Sequence, residues 1–385
     1  MVDPFQSASL GPLTLRNRFV KSATFEGMAD DGLVSERLID FHRCIAAGGT
    51  ALTTLAYLAV SPDGQGAPNE ITVRPDAVPG LARLADAVHA EGALVSAQIG
   101  HAGPVAAATG RRGLTPSRSF SPMTMRTTRS ATTHDLGRVV AEFASATSLL
   151  RSAGFDAVEV HMGHGYLLSA FLSPSLNRRR DEWGGDPERR ARLAREVAAA
   201  VRSAAGADMA VIAKLNLTDG RSSRVKPDDC AAVCRLLEQD GSVDAVELTA
   251  GSSFRDPMYL LRGPAPVREL AVRFPQPTRS AIQLFGSRFL RSYPFEEGFL
   301  LEPARAVRAA TSLPCIALGG INRLDTVRQA LDDGFEFVAL GRALLHEPGI
   351  VNRWQSGNQQ PSGCTHCNQC MPTIYTGTRC TLVNR

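Results

Sequence analysis

Short apolar or β-branched runs recur along the chain, and stretches of helical period separate them. The runs predict strands at about 18–24 (RFVKSAT), 50–57 (TALTTLAY), 93–100 (ALVSAQIG) and 156–162 (DAVEVHM). The second half adds 209–217 (MAVIAKLNL), 244–251 (DAVELTAG), 314–320 (PCIALGG) and 335–342 (FEFVALGR). Between them lie amphipathic segments such as GLARLADAVHAEG, ERRARLAREVAAAVRSA and LDTVRQALDDG. Several reach a glycine stop, at Gly92, Gly154, Gly241 and Gly334. Eight strands alternating with helices imply a parallel sheet, and eight is the number that closes a (β/α)8 TIM barrel. An open doubly wound sheet would need a glycine-rich phosphate loop after its first strand, where this chain reads SATFEGM. The closed α/β barrel is therefore expected over residues 1–357, with a cysteine-rich segment at 358–385. The polar stretches near 104–135 and 252–295 are too long for plain connections and read as elaborated loops that shape a substrate site.

Composition narrows the class. The chain has 385 residues, 44% hydrophobic and 21% charged, which excludes disorder and coiled coil. Net charge is only +4, and the arginines are spread among acidic neighbours, so no nucleic-acid surface is expected. No apolar run reaches the roughly 20 residues of a membrane helix, and no secretory signal is visible, so a cytoplasmic enzyme is expected. Four of the eight cysteines fall at Cys364, Cys367, Cys370 and Cys380; in a reducing compartment such crowding points to metal rather than disulfides.

In a closed barrel the chemistry gathers at the carboxyl ends of the strands. After the fourth strand comes His161-Met162-Gly163-His164-Gly165-Tyr166. Two neighbouring imidazoles can donate to one developing oxyanion, and a phenol can deliver a proton. A capping role and a zinc pair are the alternatives, although no third ligand stands at suitable spacing. Lys214, one of only three lysines, interrupts an apolar strand, which suits either an anion in the barrel mouth or an ion pair across the barrel. Lys21, on the first strand, could point outward to a helix. Gln98 can donate and accept on one planar edge. Gly319-Gly320 and Gly341-Arg342, after the seventh and eighth strands, suit a phosphate-bearing ligand.

These residues together resemble the old yellow enzyme family of flavin oxidoreductases. The resemblance runs from LGPLTLRNRFVKSAT to FVALGRALLHEPGIVNRW, and its most specific piece is HMGHGYLLSAFLSPSLNRRRDEWGGDPERRARLAREV. It implies FMN across the barrel mouth, with Gly319, Gly320, Gly341 and Arg342 on its phosphate. Gln98 would meet the pyrimidine edge, Lys214 the region of N1, and Ala23, Thr24 and Tyr57 the ring. His161 and His164 would bind the carbonyl of an activated alkene. NAD(P)H would reduce the flavin, N5 would pass hydride to the β-carbon, and Tyr166 would protonate the α-carbon. Where the family often has a Pro-Met or Pro-Leu step followed by Thr or Cys, this chain reads Ala23-Thr24-Phe25. Phe25 would then hold the position that tunes the flavin, unless a one-residue slip brings in Thr24.

The run CTHCNQCMPTIYTGTRC resembles the iron–sulfur segment of the dienoyl-CoA reductase and trimethylamine dehydrogenase branch, with shorter gaps between its cysteines. A 4Fe-4S cluster, zinc and unliganded thiols all stay open. The leading expectation is an FMN-dependent ene-reductase using NAD(P)H, with dienoyl-thioester reduction or amine dehydrogenation as variants. A metal-dependent barrel hydrolase using His161, His164 and the cysteines, and a flavin electron-transfer subunit, are the other readings. The resemblance also brings expectations of a homo-oligomer and of a redox partner protein.

Overall fold

The structure, a computed structural model, describes residues 2–383 apart from 69, 109, 111, 122, 123, 222 and 254. Eight parallel strands form its centre: β1 (Phe19–Lys21), β2 (Leu52–Ala59), β3 (Leu94–Gly100), β4 (Ala157–Met162), β5 (Ala210–Asn216), β6 (Ala245–Thr249), β7 (Cys315–Ala317) and β8 (Phe337–Leu340). Each pairs with the next, and β8 pairs with β1, so the sheet closes on itself. Every predicted strand is present. Several are shorter than expected, because loop residues such as Gly319 and Gly320 turn away at the strand ends.

Alternation along each strand explains the layers. One set of side chains, including Phe19, Val158, Val160, Val211, Val246 and Val338, faces outward into the main core beneath the helices. Those helices are α1 (Glu36–Ala47), α2 (Val78–His89), α3 (Thr133–Ser152), α4 (Pro187–Ala205), α5 (Pro227–Gln239), α6 (Leu301–Arg308) and α7 (Leu324–Asp332). The other set points inward. At the bottom, Val20, Leu52, Ala157, Ile212, Ile316 and Phe337 fill the barrel, and Leu10 and Leu15 of the amino-terminal hairpin close it from below. This plug is fully buried, so Phe337→Ala would cost ~3–5 kcal/mol by leaving a cavity.

One layer higher the inward positions turn polar, to Ser22, Gln98, Glu159, Lys214 and Glu247. Strand register places them side by side: Gln98 beside Glu159, His161 beside Lys214, and Lys214 beside Glu247. The long connections are elaborated as expected. Residues 101–132 carry two short strand pairs, Leu114–Thr115 with Arg129–Ser130 and Phe120–Ser121 with Arg126–Thr127. Residues 250–300 carry three short helices, of which Thr278–Phe289 buries none of its residues.

The cysteine segment is coil with one tight turn, Met371–Tyr375. It lies across the rim where β6, β7, β8 and β1 end. Thr378 N–H donates to the Glu26 carbonyl at 2.7 Å, and Asn368 Nδ2 donates to the Arg262 carbonyl at 2.6 Å. Asn322 Nδ2 donates to the Cys364 carbonyl at 3.1 Å. Among the described residues no helix is long and apolar enough to cross a membrane.

Candidate active site

The floor of the mouth is a buried charge network. Lys214, 1% exposed, lies 2.5 Å from Glu247, 3.6 Å from Glu159 and 3.0 Å from the Ser22 hydroxyl. Gln98 Nε2 donates to Glu159 at 2.5 Å, and Ser22 donates to Glu247 at 2.7 Å. Taking ions out of water costs several kcal/mol each, so the layer stands only because its charges meet. Burial raises the Glu159 carboxyl, and Glu247 adds to that, although Lys214 pulls the other way. Burial would lower Lys214, but Glu159 and Glu247 outweigh it and hold the ammonium. With desolvation the largest influence on it, the Glu159 carboxyl is shifted toward its protonated form. The ion pair that the sequence left as an alternative for Lys214 is therefore what the structure shows, and its carboxylates went unread because their pairing depends on strand register. Lys21 points outward, to Glu26, the Thr54 carbonyl at 2.8 Å and the Phe41 ring on α1.

Above the floor stand His161, His164, Tyr166 and Tyr57. Strand β4 ends at Met162, and Gly163 follows because a side chain there would meet Asn216 Oδ1 at 2.9 Å. His164 then adopts φ +58°, a conformation that costs a non-glycine residue roughly 1–2 kcal/mol. Two bonds hold it: its N–H donates to Asn216 Oδ1 at 3.1 Å, and its Nε2 lies 2.9 Å from the Thr249 hydroxyl. Asn216 is fixed in turn by Asp219 and the Gly251 carbonyl, each at 2.8 Å. The outcome is an aromatic cluster. The His161 ring centre lies 4.9 Å from His164 and 4.8 Å from Tyr166, and Tyr57 meets Tyr166 edge-on at 5.2 Å. Tyr57 is held by its hydroxyl, which donates to the Gly64 carbonyl at 3.2 Å.

Burial sets the protonation states. It pushes His161 well below an ordinary histidine, with His164 and Lys214 adding to the effect, and takes His164 down to about 3. Both imidazoles are neutral at pH 7. Burial pushes the Tyr166 phenol above its ordinary value, with the Glu70 carboxyl adding, so it keeps its proton. His161 Nδ1 is buried without a hydrogen-bond partner among the described residues. Two neutral ring donors beside a protonated phenol can grip a carbonyl oxygen and supply a proton.

At the predicted phosphate turn after β7 the glycines answer to backbone conformation and to packing. Gly319 and Gly320 have φ of +117° and +70°, and side chains there would strike Leu300 at 2.6 Å and Phe299 at 2.9 Å. Thr24 lies beside Gly341, while Ala23 and Phe25 pack with Ala56, Tyr57 and Tyr166. Arg342 departs from expectation. Its guanidinium turns to the cysteine segment, donating to Asn368 Oδ1 at 2.5 Å and lining one small cavity with Cys364, Cys367, Cys370, Cys380 and His366. That leaves backbone, not the arginine side chain, at the turn after β8.

Metal-ion readings fare worse. Among the described residues no group of three or more His, Cys, Asp or Glu side chains is placed to hold a metal ion. That placement supports neither the zinc nor the 4Fe-4S alternative at the cysteines. The hydrolase reading of His161 and His164 lacks a third ligand, since His164 Nε2 is turned to Thr249. FMN fits better: bare glycine backbone at two strand ends, the Gln98 amide and Lys214 cation below, and an orphaned histidine nitrogen above.

The chain is 50% identical over 378 residues to a 4,4'-dithiodibutanoate disulfide reductase of Rhodococcus erythropolis, covering 98% of this chain and 94% of that one. It is 32% identical to a metal reductase of Desulforamulus reducens, covering 96% of this chain but only 52% of that longer protein. A 2-naphthoyl-CoA reductase in complex with 2-naphthoyl-CoA shares the fold, with a TM-score of 0.83 at 23% identity over 97% of this chain and 55% of that one. Residues 3–242 match the NADH:flavin oxidoreductase / NADH oxidase family. With a closed barrel whose mouth fits FMN, the chain belongs to that family and is an NAD(P)H-dependent flavin oxidoreductase.

Proposed function

We propose that this enzyme reduces the double bond of an α,β-unsaturated carbonyl or thioester at the expense of NAD(P)H. The observation that carries the reading is the pair of neutral histidines set against the protonated Tyr166 phenol. Bound FMN supplies a ring that takes two electrons from NAD(P)H and returns them as hydride. Gln98, Lys214 and the backbone of Ala23, Thr24, Phe25 and Tyr57 line its seat, with Gly319, Gly320, Gly341 and the Arg342 backbone at its phosphate end. His161 and His164 hold the acceptor's carbonyl oxygen and stabilise the charge that grows there. Tyr166 gives its proton to the α-carbon.

A phenol titration tests the oxyanion grip, because phenolates mimic the enolate. His164→Ala is expected to weaken phenol binding to the flavoprotein; unchanged binding would remove His164 from the site.

A second reading has support of its own, since the Rhodococcus relative is named for disulfide reduction. One disulfide, one NAD(P)H and one proton would then give two thiols, with Tyr166 protonating a departing thiolate. Comparing NADH oxidation with 2-cyclohexenone and with 4,4'-dithiodibutanoate, while counting free thiols, separates the two.

Residues 358–385 form the appended cysteine segment in this reading. Its four cysteines line one small cavity, and four such thiolates are the ligand set of a 4Fe-4S cluster. Such a cluster would carry single electrons to or from a redox partner. Iron and acid-labile sulfide near four of each per chain would support it; iron-free protein after anaerobic purification would count against it.

A further inference from the structure

A cavity of about 990 Å³ opens beside the mouth, lined by Arg112, Arg126, Arg129 and Arg138 with Asp63 and Asp135. Two of these arginines are spoken for. Arg129 clasps Asp135 through both terminal nitrogens at 2.7 and 2.9 Å, and Arg138 meets Asp63 at 2.9 Å. Among the described residues Arg126 donates only to the Gly110 carbonyl, and both Arg126 and Arg112 are exposed. Among the described residues neither has a carboxylate partner, so the cavity carries two uncompensated guanidiniums.

Its walls connect to the aromatic cluster through short chains of packed residues. Asp63 precedes Gly64, whose carbonyl holds Tyr57. On the other wall Leu114 follows Gly113, which lies against the Gly103 carbonyl, and Gly103 lies against Leu167, next to Tyr166. Asp135 and Arg138 belong to the first turns of α3, and barrel helices begin at the rim where the strands end. The cavity and the aromatic cluster therefore share a rim.

We propose that this cavity binds an oxyanion carried by the electron acceptor, a carboxylate at the far end of the molecule from its reducible bond, through Arg112 and Arg126. Arginine forks match carboxylate geometry, and charge-assisted bonds are about twice as strong as neutral ones. The proposal rests on the reductase reading above and names the substrate class of that site. The Asp-paired Arg129 and Arg138 form the wall and hold the loop.

The test compares 7-oxooct-5-enoate, whose carboxylate is separated from the double bond by a run of methylenes, with its methyl ester, which carries the same conjugated ketone without the charge, in the flavin-loaded enzyme and in R112A/R126A. Glutarate binding by calorimetry and the KM for NADH and NADPH are measured on the same samples. The expected result is that the double variant raises KM for the acid about tenfold or more while barely moving the ester, and that it loses glutarate binding, as the loss of both charge-assisted contacts implies. Equal KM values for acid and ester in the unaltered enzyme would overturn the proposal while leaving ene-reduction intact. A rise confined to NADPH would also overturn it, by assigning the arginines to the nucleotide phosphate. If neither acceptor is reduced although NADH bleaches the flavin, the ene-reductase reading fails. Glutarate binding then decides for the cavity: loss in the variant supports it, and no binding to the unaltered enzyme sinks it.

Discussion

The barrel mouth and the cysteine segment sit on the same rim but are held by different means. In the mouth each reactive side chain stands on, or one turn beyond, a strand locked into a closed parallel ladder. Lys214 has Glu247 and His161 at neighbouring ladder positions. The cysteine segment has no ladder. Side-chain amides and hydroxyls tie it to loop carbonyls, as Asn368 does to Arg262 and Thr378 does to Phe25. The mouth is accordingly expected to survive the loss of the segment's contacts, whereas the segment depends on the rim the mouth provides.

The comparison is sharpest at Lys214. Lys214→Met would leave two buried carboxyls without their cation, and a loss of ~3–5 kcal/mol is expected in denaturant unfolding. The double change Lys214→Met with Glu247→Leu should regain part of it. A single variant as stable as the unaltered chain would show that the network is not the floor's support.

Next in size is the chemistry. Tyr166→Phe should slow the alkene half-reaction about 10²-fold, the usual worth of a positioned proton donor, and leave reduction by NAD(P)H unchanged in anaerobic stopped flow. Equal losses in both half-reactions would contradict the proton-donor role.

On the segment side, Asn368→Ala removes the acceptor for Arg342 and two donations to backbone. A local loss of about 1–3 kcal/mol is expected, read as faster hydrogen exchange in 358–383 with little change in the strands. Equal loosening of β5 and β6 would break the distinction.

The smallest effect concerns pH. His164 is neutral in the fold and titrates near 3, whereas an unfolded histidine titrates near 6.5. Between those values the unfolded chain binds more protons, so this contribution is whole above about pH 6.5 and is lost progressively on acidification. His164→Asn should therefore remove a share of the acid sensitivity between pH 7 and pH 5, read as a less positive slope of unfolding midpoint against pH than in the unaltered chain, whose total also carries the opposite contributions of Glu70 and Glu159. An unchanged slope would mean that the histidine is not held neutral.

How much was legible in the sequence follows from the same contrast. The eight strands and the His161-His164-Tyr166 group show in local pattern, because strand period and a glycine-bearing turn are written in consecutive residues. Glu159, Glu247, Asn216 and Thr249 were missed as site residues. They matter only through neighbours on other strands, and register across the barrel has no local signature. Arg342 was misread for a related reason: its partner, Asn368, belongs to a coil whose path over the rim no periodicity reveals. A single glutamate inside an apolar strand, as in AVEVHM and AVELT, was the available hint, since a charge on the inward face needs a counter-charge.

The most direct test of the central claim is the visible spectrum of the purified protein under anaerobic conditions, recorded before and after one equivalent of NADH or NADPH, with iron measured on the same sample. A yellow flavin spectrum bleached by the nicotinamide is the expected result, and a brown shoulder with matching iron would add the cluster. Protein that binds no flavin even after incubation with FMN would contradict the assignment of the barrel mouth.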